Sequence, residues 1–165
     1  DEYAVSRVLA AYLRERPFDL LLAGFFSVDN GAGQVAIRTA CLLGIPHVGA
    51  ITKLDIAGGR ATVIRDAEGD AETLDVVLPA LFTAQQGLNE PRYPALAGIM
   101  QARKKTLRRL TLDDLGLTEA DVAPKTVRVA LNLPSERRAG RLLRGSPREQ
   151  AAQLVSLLRT ESTAI

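Results

Sequence analysis

Tryptophan is absent from this sequence; cysteine, histidine and methionine occur once each, and aromatic residues make up only 4%. A single cysteine, Cys41, rules out a disulfide within the chain, and a reducing compartment is the default expectation. With Cys41 and His47 alone, a zinc site built from the usual three or four Cys and His ligands is nearly excluded. Any Ser-His-Asp or Cys-His arrangement would have to use that same His47. No apolar run approaches the roughly 20 residues needed to cross a bilayer, so membrane insertion is not expected. A net charge of +2 is too small to call for nucleic acid or an anionic membrane.

What remains is ordinary globular material: 165 residues, 47% hydrophobic and 24% charged, enough for one domain with its own core. The chain opens at Asp1 in a helical pattern over residues 2 to 16. Val5, Val8, Leu9, Tyr12 and Leu13 fall on one stripe, and Pro17 stops the run. A parallel α/β domain that begins on a helix has lost the strand before it, so the expectation is a chain lacking an N-terminal part. Asp19 to Gly24 reads as a strand buried on both faces of a parallel sheet. A loop follows, then a helix over Gln34 to Leu43 that Gly44 and Pro46 close, with Cys41 on its apolar side.

Val48 to Ile56, Arg60 to Arg65 and Ala71 to Leu78 read as an antiparallel meander, turned by Ala57-Gly58-Gly59 and Ala67-Glu68-Gly69-Asp70. Pro79 to Ala84 is a further short strand. Residues 85 to 95 form a loop, and Leu96 to Lys105 a helix with a basic end. Thr111 to Gly116 carries the marks of a short capped helix. Thr126 to Leu133 alternates as a strand would, and Arg148 to Arg159 forms a last amphipathic helix.

Three constellations bear on chemistry. The loop Gly24-Phe25-Phe26-Ser27-Val28-Asp29-Asn30-Gly31-Ala32-Gly33-Gln34-Val35 leaves a strand and enters a helix N-terminus, where free N–H groups and the helix dipole favour an anion. The spacing alone leaves two readings open, a phosphate cradle or a plain turn, and there is no Walker lysine. In Leu88 to Met100, Leu96 follows a Pro-rich stretch. It is either an anchor for a partner's pocket or a residue tucked onto its own domain. The run Arg103-Lys104-Lys105-Thr106-Leu107-Arg108-Arg109 is either an acidic-partner or nucleic-acid patch or a solvated helix end. Without interleaved aromatics, nucleic acid is not expected.

The loop at Gly24 to Val35 with Leu42-Leu43-Gly44-Ile45-Pro46 after it, the turn Gly58-Gly59, Glu72-Thr73-Leu74 and Leu78-Pro79-Ala80 occur in one order. Asn89-Glu90-Pro91-Arg92-Tyr93 with Gly98-Ile99-Met100 and Lys104-Lys105, then Asp113-Asp114-Leu115-Gly116 and Arg138-Ala139-Gly140, complete the series. Together they resemble the electron-transfer flavoprotein beta subunit over nearly the whole chain, with the N-terminal third missing. The resemblance implies a heterodimer with an alpha subunit that holds FAD, no bond chemistry in the beta subunit, and AMP as a structural ligand. Residues 24 to 35 would then be the AMP phosphate loop. Leu96, with Tyr93, Pro94 and Ile99, would form a recognition loop that docks an acyl-CoA or related dehydrogenase. Electrons would pass on to a membrane quinone oxidoreductase. The compartment implied is the cytoplasm of a bacterium or the mitochondrial matrix of a eukaryote.

Departures from the family pattern are Phe25-Phe26 for Lys-Gln, Asn30-Gly31 for two acids, Gln85-Gln86-Gly87 for an Asp-Leu-Arg run, and Ala97 for a proline. The fold expected is α/β: a Rossmann-like doubly wound parallel sheet, adenine-nucleotide alpha-hydrolase-like, with an antiparallel meander and an extended C-terminal tail. Residues 1 to 117 would make the nucleotide-binding domain, and 118 to 165 a tail lying on the partner subunit. Two alternatives stand beside the carrier: the beta subunit of an electron-bifurcating flavoprotein with a second FAD, or an ATP-binding or hydrolysing α/β domain.

Overall fold

The computed structural model describes residues 1–134 and 140–162, which fall into two compact units, Asp1–Val127 and Arg128–Ile165. Arg138 and Ala139 of the tail motif lie outside the described residues.

In the first unit, helix α1 (Glu2–Arg14) begins where the Asp1 carboxylate accepts from Ala4 N–H at 3.0 Å, satisfying one of the orphan donors of the first turn. The same carboxylate accepts from the N–H groups of Lys125 and Thr126 at 2.6 and 2.9 Å, which fastens the end of the unit to its start. The stripe α1 buries is not the one its large side chains predict. Ser6 and Ala10 are buried, while Val5, Leu9 and Tyr12 stay 48%, 39% and 37% exposed. Small residues win because α1 packs on helix α2 (Val35–Leu43), and close approach lets the Ser6 hydroxyl reach the Val35 carbonyl at 3.2 Å.

Strand β1 (Leu20–Gly24) is followed by α2, then β2 (His47–Ala57), β3 (Arg60–Ala67), β4 (Asp70–Val77) and β5 (Ala80–Ala84). They form one five-stranded sheet in the order β1-β5-β2-β3-β4, so the meander continues the parallel strands instead of lying beside them. β1 and β5 run parallel, as do β5 and the start of β2, while β2, β3 and β4 are antiparallel. The architecture is therefore a mixed α/β fold on an open, partly parallel sheet. The expectation that β1 is buried on both faces is corrected. It is an edge strand of this sheet, and Leu22 is 57% exposed.

Both hairpins turn through positive φ, at Gly58 and Gly59 (56° and 75°) and at Glu68 and Gly69 (48° and 100°), the handedness that two-residue hairpins need. Val48, Ile51, Ala61, Val63, Ala80 and Phe82 form the core, with Leu20, Leu54, Leu74, Val76, Leu78 and Leu88 packed around it. β2 changes partner midway, from β5 to β3, and the change is made at a bulge between Val48 and Lys53. There Ala50 adopts φ 57°, and its N–H donates to the buried Thr83 hydroxyl at 2.8 Å. A bulge re-aims a strand at the cost of unpaired backbone groups, and Thr83 meets one of them.

Helix α3 (Leu96–Ala102) stops three residues short of the expected Lys105, in turns closed by Lys104 and Lys105 N–H on the Gln101 and Ala102 carbonyls. The capped segment at Thr111 is a 3-10 turn, Asp113–Leu115, with Thr111 and Asp114 exchanging hydrogen bonds and Gly116 at φ 63° ending it. A second 3-10 turn, Ala120–Val122, repeats the device with Thr118 and Asp121. Two further corrections follow. Cys41 is exposed, because α2 turns Thr39 and Ala40 inward. Thr126 to Leu133 forms no strand, since none of these residues pairs with another strand and an extended segment without a ladder partner stays solvated.

In the second unit, helix α4 (Pro147–Leu157) begins with a capping box. The Ser146 hydroxyl accepts from Glu149 N–H at 3.4 Å, and the Glu149 carboxylate accepts from Ser146 N–H at 2.7 Å. A π-helical turn, Leu158–Ser162, follows. No helix among the described residues is long and apolar enough to cross a membrane.

Candidate functional site

In an open α/β sheet the ligand site lies beyond the carboxyl ends of the parallel strands. Here three such ends converge. Gly24 of β1 pairs with Ala84 of β5, and Ile51 of β2 pairs with Ala84 from the other side. Two loops leave this edge, residues 25–34 from β1 and residues 85–95 from β5. The second opens a cleft of about 360 Å³ lined by residues 84–91.

The first loop is a closed knuckle. Ser27 N–H donates to the Ala32 carbonyl at 2.8 Å, and Gly31 N–H to the Ser27 carbonyl at 2.9 Å. Gly31 takes φ 64°, which glycine adopts without the penalty a side chain brings. Gly33 sits in a tight place for a different reason: a Cβ there would lie 3.0 Å from the Phe25 carbonyl oxygen, so the backbone would have to give by a few tenths of an ångström to admit a side chain. The knuckle is open to solvent. Gly24, Asp29, Asn30, Gly31, Gly33 and Gln34 are exposed, and Phe25, Phe26 and Val28 are 40%, 55% and 89% exposed. Ser27, Ala32 and Val35 are half-buried. All twelve residues are thus brought together around the N-terminus of α2, whose cap, Gln34, makes no side-chain capping bond.

One cation near this loop escaped the sequence reading. Arg38, one turn into α2, donates to the Gln34 side-chain oxygen at 2.6 Å and so carries its guanidinium back toward the loop. The i to i+4 spacing from Gln34 was the available signal. The knuckle is also braced from behind, since the Val35 carbonyl accepts from both Ser6 and Thr39 hydroxyls at 3.2 and 2.8 Å. Among the described residues no group of His, Cys, Asp and Glu could hold a metal. His47 opens β2 and is exposed.

The second candidate segment is separate. Tyr93, Pro94, Leu96 and Ile99 all lie on the surface, with Tyr93 97% and Leu96 76% exposed, and α3 buries none of its residues. Seven residues of helix composed of Leu, Ala, Gly, Ile, Met and Gln contribute nothing to this unit's core.

The fold and the loop at its strand ends define an α/β open-sheet protein with a candidate anion site. Residues 1–115 match the family model of the electron transfer flavoprotein domain. The chain belongs to this family, as its motifs implied. It is 53% identical over all 165 residues to the electron transfer flavoprotein subunit beta of Bacillus subtilis, of which it covers 64%. It is 36% identical over 160 residues to the beta subunit of Syntrophomonas wolfei, covering 96% of this chain and 60% of that one. Against the Mus musculus beta subunit it is 36% identical over 136 residues, 82% of this chain and 52% of that one. The chain therefore spans less than two thirds of the length of these relatives.

Proposed function

We propose that this chain acts as part of an electron-transfer flavoprotein beta subunit, a carrier component that positions a nucleotide and a redox partner and makes or breaks no covalent bond. The observation that carries the reading is the segment from Tyr93 to Met100, an apolar helix and its approach that the chain's own core does not use. Exposed large apolar residues grouped together mark a partner's footprint. Leu96 is the anchor that enters an acyl-CoA or related dehydrogenase, with Tyr93, Pro94 and Ile99 around it.

The alpha subunit holds FAD, and electrons pass from the dehydrogenase through that flavin to a membrane quinone oxidoreductase. Residues 24 to 35 hold the phosphate of AMP, in keeping with the open knuckle, the uncapped start of α2 and the guanidinium of Arg38. The sheet belongs to the Rossmann-like, adenine-nucleotide alpha-hydrolase-like class. The tail from Thr118 onward lies on the alpha subunit. Val127, Val129, Leu131 and Leu133, all at least 83% exposed, suit burial in that interface.

Native mass spectrometry of the full-length heterodimer tests this reading. One alpha subunit, one FAD and one AMP per complex are expected. Two flavins and no AMP would replace the carrier with an electron-bifurcating flavoprotein. Turnover of ATP with magnesium would move the chain to a hydrolase.

A further inference from the structure

Asp1 makes more bonds than a helix cap requires. A capping side chain satisfies an orphan N–H at the start of a helix, and Oδ1 of Asp1 does that for Ala4. Its second oxygen, Oδ2, accepts from three donors at the other end of the same unit. They are Lys125 N–H at 2.6 Å, Thr126 N–H at 2.9 Å and the Thr126 hydroxyl at 3.1 Å. Two successive backbone N–H groups turned on one oxygen make a small anion nest, here filled by a side chain of the chain itself. A carboxylate has about four lone-pair directions, so four donors saturate it. Further contacts along α1 hold the same stretch. The Lys125 ammonium lies 5.2 Å from the centre of the Tyr3 ring, and Arg7 meets Asp121 at 3.5 Å. Asp121 in turn accepts from the Thr118 N–H and hydroxyl.

The hold ends abruptly. Thr126 is the last residue fixed, and from Val127 to Leu133 no hydrogen bond is made among the described residues. Val127, Val129, Leu131 and Leu133 are 83%, 96%, 83% and 94% exposed. A segment without bonds of its own is placed only by its root, and Asp1 fixes that root. We infer that Asp1 is a positioning residue for the tail: Oδ1 starts α1, while Oδ2 clamps residues 125–126 and so presents the apolar segment after them to the partner subunit. The inference rests on the tail reading proposed above, in which that partner is the alpha subunit. Without the clamp the backbone would be free back to the 3-10 turn Ala120–Val122. The unheld stretch would then grow from the seven residues 127–133 to the eleven residues 123–133. Effective concentration falls with about the 3/2 power of length, which is roughly twofold here, and the lost direction at the root adds to it.

The test separates the two oxygens, in the intact full-length heterodimer. Asp1→Ser keeps a good helix cap but has no second oxygen to reach residues 125 and 126. Amide exchange of Lys125 and Thr126 should speed up at least about fivefold, while the amides of α1 keep their protection. The heterodimer dissociation constant, read from a dilution series, should rise roughly three- to tenfold. Asp1→Asn, also a good cap, sets amide donors against the same N–H groups. It should behave alike and serves if Asp1→Ser does not fold. A double-mutant cycle with Val129→Ser/Leu131→Ser, which strips the apolar segment and leaves its root alone, separates presentation from plain stability. If Asp1 acts through that segment, Asp1→Ser should weaken the heterodimer no further in this background. Unchanged exchange at residues 125 and 126 overturns the clamp. Faster exchange with an unchanged dissociation constant, or an equal loss in both backgrounds, overturns the presentation role and leaves Asp1 a stabiliser of its own unit. If Val129→Ser/Leu131→Ser by itself leaves the affinity intact, the tail reading fails and takes the inference with it, even where exchange shows the clamp in place.

Discussion

Phe82 and Leu96 are both large apolar side chains fourteen positions apart, yet Phe82 is fully buried and Leu96 is 76% exposed. Phe82 stands in β5, flanked by β1 on one side and β2 on the other, where neighbours on both edges and both faces exclude water. Leu96 begins a helix too short to be stable alone and with no core to lie on. The contrast separates residues that build this unit's core from residues that the core leaves in water.

The sharpest way to break that comparison is at its buried end. Phe82→Ala should cost about 3–5 kcal/mol of stability, the usual range for emptying such a site, measurable as a large drop in the denaturant midpoint. Leu96→Ala should leave that midpoint within roughly 0.5 kcal/mol while slowing electron delivery from the dehydrogenase at least about tenfold. Unaltered transfer kinetics would end the docking role.

Thr83→Val probes the bulge that joins the two halves of the sheet. It leaves Ala50 N–H without its hydroxyl partner and should cost about 1–3 kcal/mol. Arg65→Ala removes an ion pair with Glu72, its partner directly across β3 and β4, at 2.7 Å. Both side chains are more than a third exposed, so solvent screening limits the loss to at most ~1 kcal/mol, read from the same midpoint. The smallest effect concerns α4. Hydrogen bonds from the Ser146 hydroxyl and N–H hold the Glu149 carboxyl below its ordinary 4.5. A carboxylate whose value falls on folding stabilises above its unfolded value and loses that contribution as pH drops through the folded one. Protection of the amides at the start of α4, taken relative to their intrinsic exchange rate at each pH, should therefore fall as pH drops below 4.5, and Glu149→Gln should remove that dependence.

Much of the fold was legible where a residue type answers a local demand. Gly58-Gly59 and Glu68-Gly69 announced their turns because positive φ is costly elsewhere, and Gly44 ended α2 in the left-handed conformation for the same reason. The capping pair Thr111–Asp114 was readable as a short spacing. Legibility failed where the outcome depended on a distant neighbour. Thr126 to Leu133 has the alternation of a strand, but alternation gives no partner. Cys41 sits among apolar residues in sequence and faces out, because α1 and the sheet claim the other side of α2. Ala50 has no feature that foretells a positive φ; only the exchange of strand partners forces it.

The candidate site divides the same way. The knuckle could be located from its glycines and its place between strand and helix. The return of Arg38 onto Gln34 is a local i to i+4 contact that the spacing could have signalled, whereas the bracing of Val35 by Ser6 came from packing between elements far apart in the chain.

By itself, then, the order of residues determined the elements, their turns and caps, and the family, because each of these depends on chemistry within a few positions. Which apolar face is buried, which strand stands at the edge and which helix is left facing water were decided only in three dimensions. Those outcomes depend on what lies opposite, and a side chain is removed from solvent by its neighbours in space.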